Sequence, residues 1–101
     1  DNNRREFCPE CAEIWGLLHY YPAILPSLEL RYQEISKPRS GLTAMLGAEN
    51  QNCPTLVLAP AADAGPDLLI KQYGSYRFLD NARDIGRYFA HKFGTPFPRG
   101  S

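Results

Sequence analysis

The sequence has neither a net charge nor a long hydrophobic run. Its 11 Lys and Arg residues balance 11 Asp and Glu residues, and no basic run exceeds two residues. The charge therefore offers no argument for binding to nucleic acid or to a membrane surface. The longest apolar stretch, Leu56 to Ala62, is interrupted by Pro60 and is far shorter than the roughly 20 residues that cross a bilayer. No signal peptide is visible, so we expect no membrane and no nucleic-acid partner.

Cysteine is scarce and odd in number. The three cysteines cannot all pair with one another, which argues against the disulfide framework of a small secreted domain. Two of them form the segment Cys8-Pro9-Glu10-Cys11. This spacing suits a dithiol/disulfide couple or one half of a metal site. Both uses favour a reducing compartment, so the sequence predicts a cytoplasmic protein.

The Cys-x-x-Cys segment stands at the predicted start of a helix. Apolar residues at positions 11, 14, 15 and 18 follow the period of a helix with one core-facing side, which predicts a helix from Pro9 to about Tyr21. Proline suits the first helical position, since its missing N–H needs no partner there. Cys8 would then stand at the cap, where the helix dipole favours a thiolate. Cys8 is the predicted nucleophile, and Cys11, within disulfide reach one turn later, is the predicted resolving thiol.

The middle of the chain predicts a strand and a short helix. Leu28 to Ile35 alternates apolar and polar residues, a pattern typical of a strand with one covered face. Ser40 is expected to cap a helix that ends near Gly47. Residues 68–73 fit either a short strand or an irregular segment.

The second half predicts two strands and a last helix. The apolar run over 54–59 indicates a strand that is buried on both faces, and a second strand is expected over 76–79. Asp80 or Asn81 should cap the last helix, which Gly94 ends. At 101 residues the chain suits one domain with a modest core. We expect that domain over 1–95 and an irregular tail over 96–101.

The order of these elements, with Cys-Pro-x-Cys at the start of the first helix, resembles the thioredoxin superfamily and its glutaredoxin branch. The second half is similar to the amino-terminal domain of glutathione transferases, in which a residue and a cis-proline open the third strand. Here Cys53 and Pro54 match those positions. Three motifs in order are similar to a bacterial thioredoxin-like family of unknown function: Cys-Pro-x-Cys-Ala-x-Ile-x-Gly-Leu-Leu, Lys-Pro-Arg and Gly-x-Glu-Asn-Gln-x-x-Pro-x-Leu-Val-Leu.

This resemblance implies an α/β thioredoxin-like fold, with a mixed central sheet flanked by helices. It also implies that the protein exchanges disulfides with other proteins or with glutathione. It also implies a cis Cys53–Pro54 bond beside the substrate, with Asp80 and Asn81 at the γ-glutamyl end of glutathione. The superfamily begins with a central strand, but the seven residues before Cys8 are not strand-like. We therefore expect the first strand to be missing. The edge that it leaves would invite pairing with a second copy in a homodimer.

Cys53 leaves other functions open. Together with Cys8 and Cys11 it could complete a three-thiol site for zinc or an iron–sulfur cluster. It could equally be a small apolar residue that fills a buried position. His19, eleven residues beyond Cys8, would lie about 16 Å along the helix and could not share that metal. A thiol–disulfide oxidoreductase without a resident cofactor is the favoured hypothesis; a metal module and a redox-inert interaction domain are the alternatives.

Overall fold

A computed structural model describes residues 5, 7–32, 37, 39–60, 62 and 68–100. These residues form a mixed α/β structure, and no helix among them is long and apolar enough to cross a bilayer. The elements, in chain order, are α1 (Pro9–Tyr20), a 3₁₀ helix (Pro22–Ser27), α2 (Ser40–Leu46), β1 (Leu56–Leu58), β2 (Lys71–Tyr73), β3 (Tyr76–Leu79) and α3 (Ala82–Phe93).

The three strands form a small antiparallel sheet in the order β1-β3-β2. Val57 of β1 and Lys71 of β2 both lie opposite Phe78 of β3, on its two sides. The hairpin between β2 and β3 turns at Gly74, whose φ of 58° suits glycine. The prediction of a mixed sheet is wrong for the described residues, because both strand pairs there are antiparallel.

The strand predicted over 28–35 does not form in its described part. Residues 28–32 have no regular secondary structure, and Leu30 and Tyr32 are 42% and 79% exposed. Alternation of apolar and polar residues fits a strand, but a strand also needs a hydrogen-bonded neighbour. The sheet of the described residues provides none at this position. The rest of the prediction, residues 33–36, lies outside the described residues.

Strand β1 lies between two apolar clusters. Its buried Leu58 belongs to the larger cluster, whose other buried members are Leu18, Ile24, Leu79, Ile85, Tyr88 and Phe89. Val57 packs against the smaller cluster of Leu42, Leu46 and Phe78. Successive side chains of a strand point to opposite faces, so α1 and α3 cover one face of β1 and α2 covers the other. The strand predicted over 54–59 thus forms over Leu56–Leu58 with apolar contacts on both faces, but only Leu58 is buried.

The ends of α3 follow the sequence prediction, and the start of α2 does not. Asn81 caps α3, and Gly94 ends it in the left-handed conformation with a φ of 73°. The cap of α2 is Arg39, while Ser40 is its first helical residue. Arg39 has extended backbone angles, and its N–H donates to Gln51 Oε1 at 2.7 Å. The expected Ser40 cap is therefore displaced by one residue.

The end of α2 is packed against the hairpin. Gly47 follows α2 with a φ of 87°, and a Cβ at this position would lie 2.8 Å from the Tyr73 ring. Both the backbone conformation and the close approach of the ring require glycine here. This contact joins α2 to β2 on the side of the smaller cluster.

The C-terminal segment has no helix or strand over residues 94–98 but packs on α3. A Cβ on Gly86 would lie 2.8 Å from Pro98 Cγ, and Arg83 Nη1 donates to the Arg99 carbonyl oxygen at 3.3 Å. Together with α1 and α3, residues 96–98 line an open cavity of about 310 Å³. The irregular tail predicted from residue 96 onward thus contributes to the packed structure.

The substitution Gly86→Ala tests this packing. In an open helix the change stabilises a protein by about 0.5–1 kcal/mol, but here the added methyl group meets the rigid ring of Pro98. We expect Gly86→Ala to lower the free energy of unfolding of the wild type and to raise it in a Pro98→Ala background. Urea denaturation of the four proteins measures both effects. Equal effects in the two backgrounds would show that Pro98 does not pack on Gly86.

Candidate functional site

The first turn of α1, residues 8–11, carries two of the three thiols and is called the thiol turn below. Cys8 is the cap residue of α1, with extended backbone angles, and its Sγ accepts a hydrogen bond from the Cys11 N–H at 3.1 Å. The Cys8 carbonyl oxygen accepts from the Ala12 N–H at 3.0 Å. A proline at the first helical position has no N–H to satisfy. The predicted start of α1 and the capping role of Cys8 are confirmed.

The third thiol is brought to the thiol turn by the segment that precedes β1. The Cys8 S–H donates to the Cys53 carbonyl oxygen at 3.6 Å, across 45 residues of sequence. The Cys53–Pro54 bond is cis, as predicted. Arg39 supports this segment, since its Nη1 donates to the Gln51 carbonyl oxygen at 2.7 Å. The structure thus brings together the three cysteines and Pro54 that the sequence singled out.

The two thiols of the Cys-x-x-Cys differ in environment. Cys8 is exposed, whereas Cys11 is partly buried. Burial, a hydrogen bond to Cys8 and the charges of Cys8 and Cys53 raise the pKa of Cys11 from 9.0 to about 12, against an opposing effect of Arg39. The pair therefore combines an accessible sulfur with a sulfur that keeps its proton up to strongly alkaline pH.

Glu10, between the two cysteines, is bonded to the last helix. Its Oε1 accepts a hydrogen bond from the Ala82 N–H at 2.7 Å, across 72 residues of sequence. The first N–H groups of a helix have no partner within that helix, and a carboxylate is a favourable acceptor for them. Sequence reasoning missed this contact. From the sequence alone, a glutamate in the first turn of α1 suggests an interaction with the dipole of α1 and not a contact with α3.

Asp80 and Asn81, which the resemblance associates with glutathione, lie at the same end of α3. Asp80 Oδ2 accepts from Lys71 Nζ at 2.7 Å. Asn81 Oδ1 accepts from the Asp84 N–H at 2.9 Å, and Asn81 Nδ2 donates to Asp84 Oδ2 at 2.9 Å. Asn81 therefore stabilises the start of α3, and Asp80 joins the residue before that cap to β2. Any ligand at this helix end would meet groups that already have partners within the protein.

The three thiols do not form a metal site as they are placed. Within the ranges that the structure describes, no three His, Cys, Asp or Glu side chains are grouped so that they could hold a metal ion. His19 lies in the last turn of α1, where its ring meets the Tyr20 ring edge-on at a centroid distance of 6.3 Å. His91 is exposed in the last turn of α3. Neither histidine shares the turn that carries Cys8 and Cys11.

Comparison with known proteins identifies the family of this chain. The family model described as "Protein of unknown function (DUF3088)" matches residues 1–97, and the chain belongs to that family. No curated protein matches the chain, and no solved structure matches it.

Alkylation with iodoacetamide should distinguish the two thiols of the thiol turn. At about pH 8 we expect Cys8 to be labelled first, because it is exposed and thiolates are the reactive form. Cys11 should stay largely unlabelled until the pH approaches about 12, the value of its raised pKa. Mass spectrometry of peptides from the folded protein measures both rates. Equal rates at about pH 8 would contradict the difference in environment.

The raised pKa of Cys11 also predicts a pH dependence of folding stability. A group that binds its proton more tightly in the folded state contributes stability that is full below its unfolded pKa. For Cys11 that contribution should fall as the pH rises from 9.0 towards about 12. Urea denaturation of wild type and Cys11→Ala between about pH 8 and about pH 11 tests this. The wild type should lose stability relative to the variant, and parallel curves would show that Cys11 is not the cause.

Proposed function

We propose that this member of the family is a thiol–disulfide oxidoreductase with a thioredoxin-like fold. Cys8 is the nucleophile and Cys11 the resolving thiol. The observation that carries the proposal is the asymmetry of the thiol turn: an exposed Cys8 whose Sγ accepts from the Cys11 N–H at 3.1 Å, beside a partly buried Cys11 with its pKa raised to about 12. A nucleophile must reach its substrate, whereas a resolving thiol must wait for the first step.

The reaction transfers two electrons from the protein to a substrate disulfide. The Cys8 thiolate attacks one substrate sulfur, and the other leaves as a thiolate that takes a proton from water. Cys11 then loses its proton and attacks Cys8, and the second substrate sulfur leaves as a thiol. The Cys8–Cys11 disulfide is formed while both substrate sulfurs are reduced. Two molecules of a small thiol, such as glutathione, restore the dithiol and become a disulfide themselves.

The first step prepares Cys11 for the second step. In the mixed disulfide Cys8 carries no negative charge, so its charge no longer raises the pKa of Cys11. Burial and the Cys53 charge continue to raise it, and Arg39 continues to lower it. Loss of the Cys8 charge therefore acts to lower the pKa of Cys11 when its attack is needed. A resolving thiol that stays protonated before then does not compete for the substrate.

The proposal also includes a thioredoxin-like fold and disulfide-containing substrates. The element order, the Cys53 carbonyl oxygen at the thiol turn and the antiparallel pair of β1 with β3 support a thioredoxin-like domain. Substrates are disulfides of proteins or of glutathione, and the compartment is the reducing cytoplasm. A glutathione molecule near Asp80 and Asn81 would compete with Glu10 for the Ala82 N–H, since Glu10 accepts that hydrogen bond at 2.7 Å.

Serine substitutions test the order of the two steps. We expect Cys8→Ser to abolish both disulfide formation and the reduction of glutathione disulfide. Cys11→Ser should accumulate the mixed disulfide of Cys8 with glutathione, because no resolving thiol remains. Mass spectrometry of the protein after incubation with glutathione disulfide detects each species. A mixed disulfide on Cys11 in the Cys8→Ser protein at the wild-type rate would contradict the assignment of the nucleophile.

The variant Cys53→Ser separates disulfide exchange from metal binding. Cys53 is neither nucleophile nor resolving thiol in the proposal, so the Cys8–Cys11 disulfide should still form, with a change in substrate preference alone. A metal module would instead lose one of three thiolates and bind its ion much more weakly. Stoichiometric zinc or iron in protein purified without added metal, and absent from Cys53→Ser, would overturn the proposed oxidoreductase.

A further inference from the structure

We propose that Glu10 is the positioning residue of the thiol pair, because its carboxylate holds the thiol turn against the first turn of α3. This inference rests on the proposed function and assigns a role to a residue between the two cysteines. The contact that carries it is the hydrogen bond from the Ala82 N–H to Glu10 Oε1 at 2.7 Å. It joins the start of α1 to the start of α3.

Burial contributes little to holding the thiol turn in place. Cys8, Pro9 and Glu10 are exposed, and Cys11 is only partly buried. The fully buried residue of α1 is Leu18, two turns further along, and partly buried Ile14 packs on the core one turn after Cys11. The end of a helix that is not packed against the core tends to fray. Polar contacts therefore contribute much of what holds the thiol turn against the rest of the fold.

Two hydrogen bonds connect the thiol turn to other elements within the described part of the chain. One runs from the Cys8 S–H to the Cys53 carbonyl oxygen at 3.6 Å. The other is the bond of Glu10 to Ala82 at 2.7 Å. A thiol is a weak donor, whereas a carboxylate is a strong acceptor that forms short hydrogen bonds. The Glu10 contact is therefore the firmer of the two attachments.

The reaction removes the weaker attachment. Cys8 loses its S–H when it becomes the attacking thiolate, and its sulfur in the mixed disulfide has none either, so the donation to the Cys53 carbonyl oxygen ends. The bond between Glu10 and Ala82 does not involve sulfur and persists. Glu10 therefore holds the thiol turn during the step in which Cys11 must reach the Cys8 sulfur. The rate of an intramolecular attack depends steeply on how well the two reacting groups are held.

Ring closure measures this role directly. The experiment forms the mixed disulfide of Cys8 with glutathione by rapid mixing and follows the release of glutathione as Cys11 attacks. Glu10→Gln keeps an acceptor of the same length, Glu10→Asp keeps the charge but is shorter by one methylene, and Glu10→Ala removes both. We expect closure close to the wild-type rate for Gln and roughly 10- to 100-fold slower closure for Ala. Asp should fall between them.

Glu13 provides the matched control. It lies one turn further along α1 and is exposed, so Glu13→Gln and Glu13→Ala make the same changes in charge and size on the same helix. Both should close at the wild-type rate. Circular dichroism at the assay temperature establishes that each variant is folded. If Glu10→Ala is not folded, the closure rates of Glu10→Gln and Glu10→Asp are compared with wild type instead, and the slower closure of Glu10→Asp tests the inference.

Three results would overturn the inference, and they are distinguishable. If Glu10→Asp closes the ring at the wild-type rate while Glu10→Gln closes as slowly as Glu10→Ala, Glu10 acts through its charge and not by positioning the thiols. If the Glu10 variants lower the unfolding midpoint but close at the wild-type rate, Glu10 stabilises the fold alone. Either result leaves the oxidoreductase proposal intact. If the wild type forms no Cys8–Cys11 disulfide at all, the proposed function fails and this inference fails with it.

Discussion

The arrangement of the thiols depends on the apolar contact of α1 and α3 with one face of β1. Leu18 of α1, Leu58 of β1 and Phe89 of α3 belong to one buried cluster. Because this cluster fixes α1 against α3, the Glu10 carboxylate reaches the Ala82 N–H. Because it fixes β1, the segment just before that strand carries Cys53 to the thiol turn. The polar contacts of the site follow from this larger cluster, which has none of the site's own residues among its buried members.

Local chemistry made part of the fold predictable. Pro9 and Gly94 act through their own backbone conformations, so sequence reasoning located them. It narrowed the cap of α3 to Asp80 or Asn81, because a cap side chain reaches only three residues along the chain. The strand predicted over 28–35 failed in its described residues because pairing requires a neighbour that local alternation cannot supply. Arg39 displaced the expected Ser40 cap through a contact with Gln51.

The same distinction applies to the site. Cys8 and Cys11 are neighbours in sequence, and the resemblance placed Cys53 near them before the geometry was known. The contact of Glu10 with Ala82 joins residues 72 positions apart, and nothing in either local sequence indicates the other. The contact depends on the packing of α1 on α3, which local sequence does not specify. The environment of Cys11 was only partly foreseeable, since its raised pKa depends first on burial.

The packing of α2 has a consequence for the order in which the chain acquires structure during synthesis. Leu42 and Leu46 pack on Phe78, and Gly47 lies against the Tyr73 ring, so every one of these partners is translated later than α2. A helix of seven residues is marginal when it has nothing to pack on. Until the hairpin has left the ribosome, α2 therefore lacks the contacts that stabilise it. The contact of Glu10 with Ala82 forms later still, because α3 follows the hairpin in the chain.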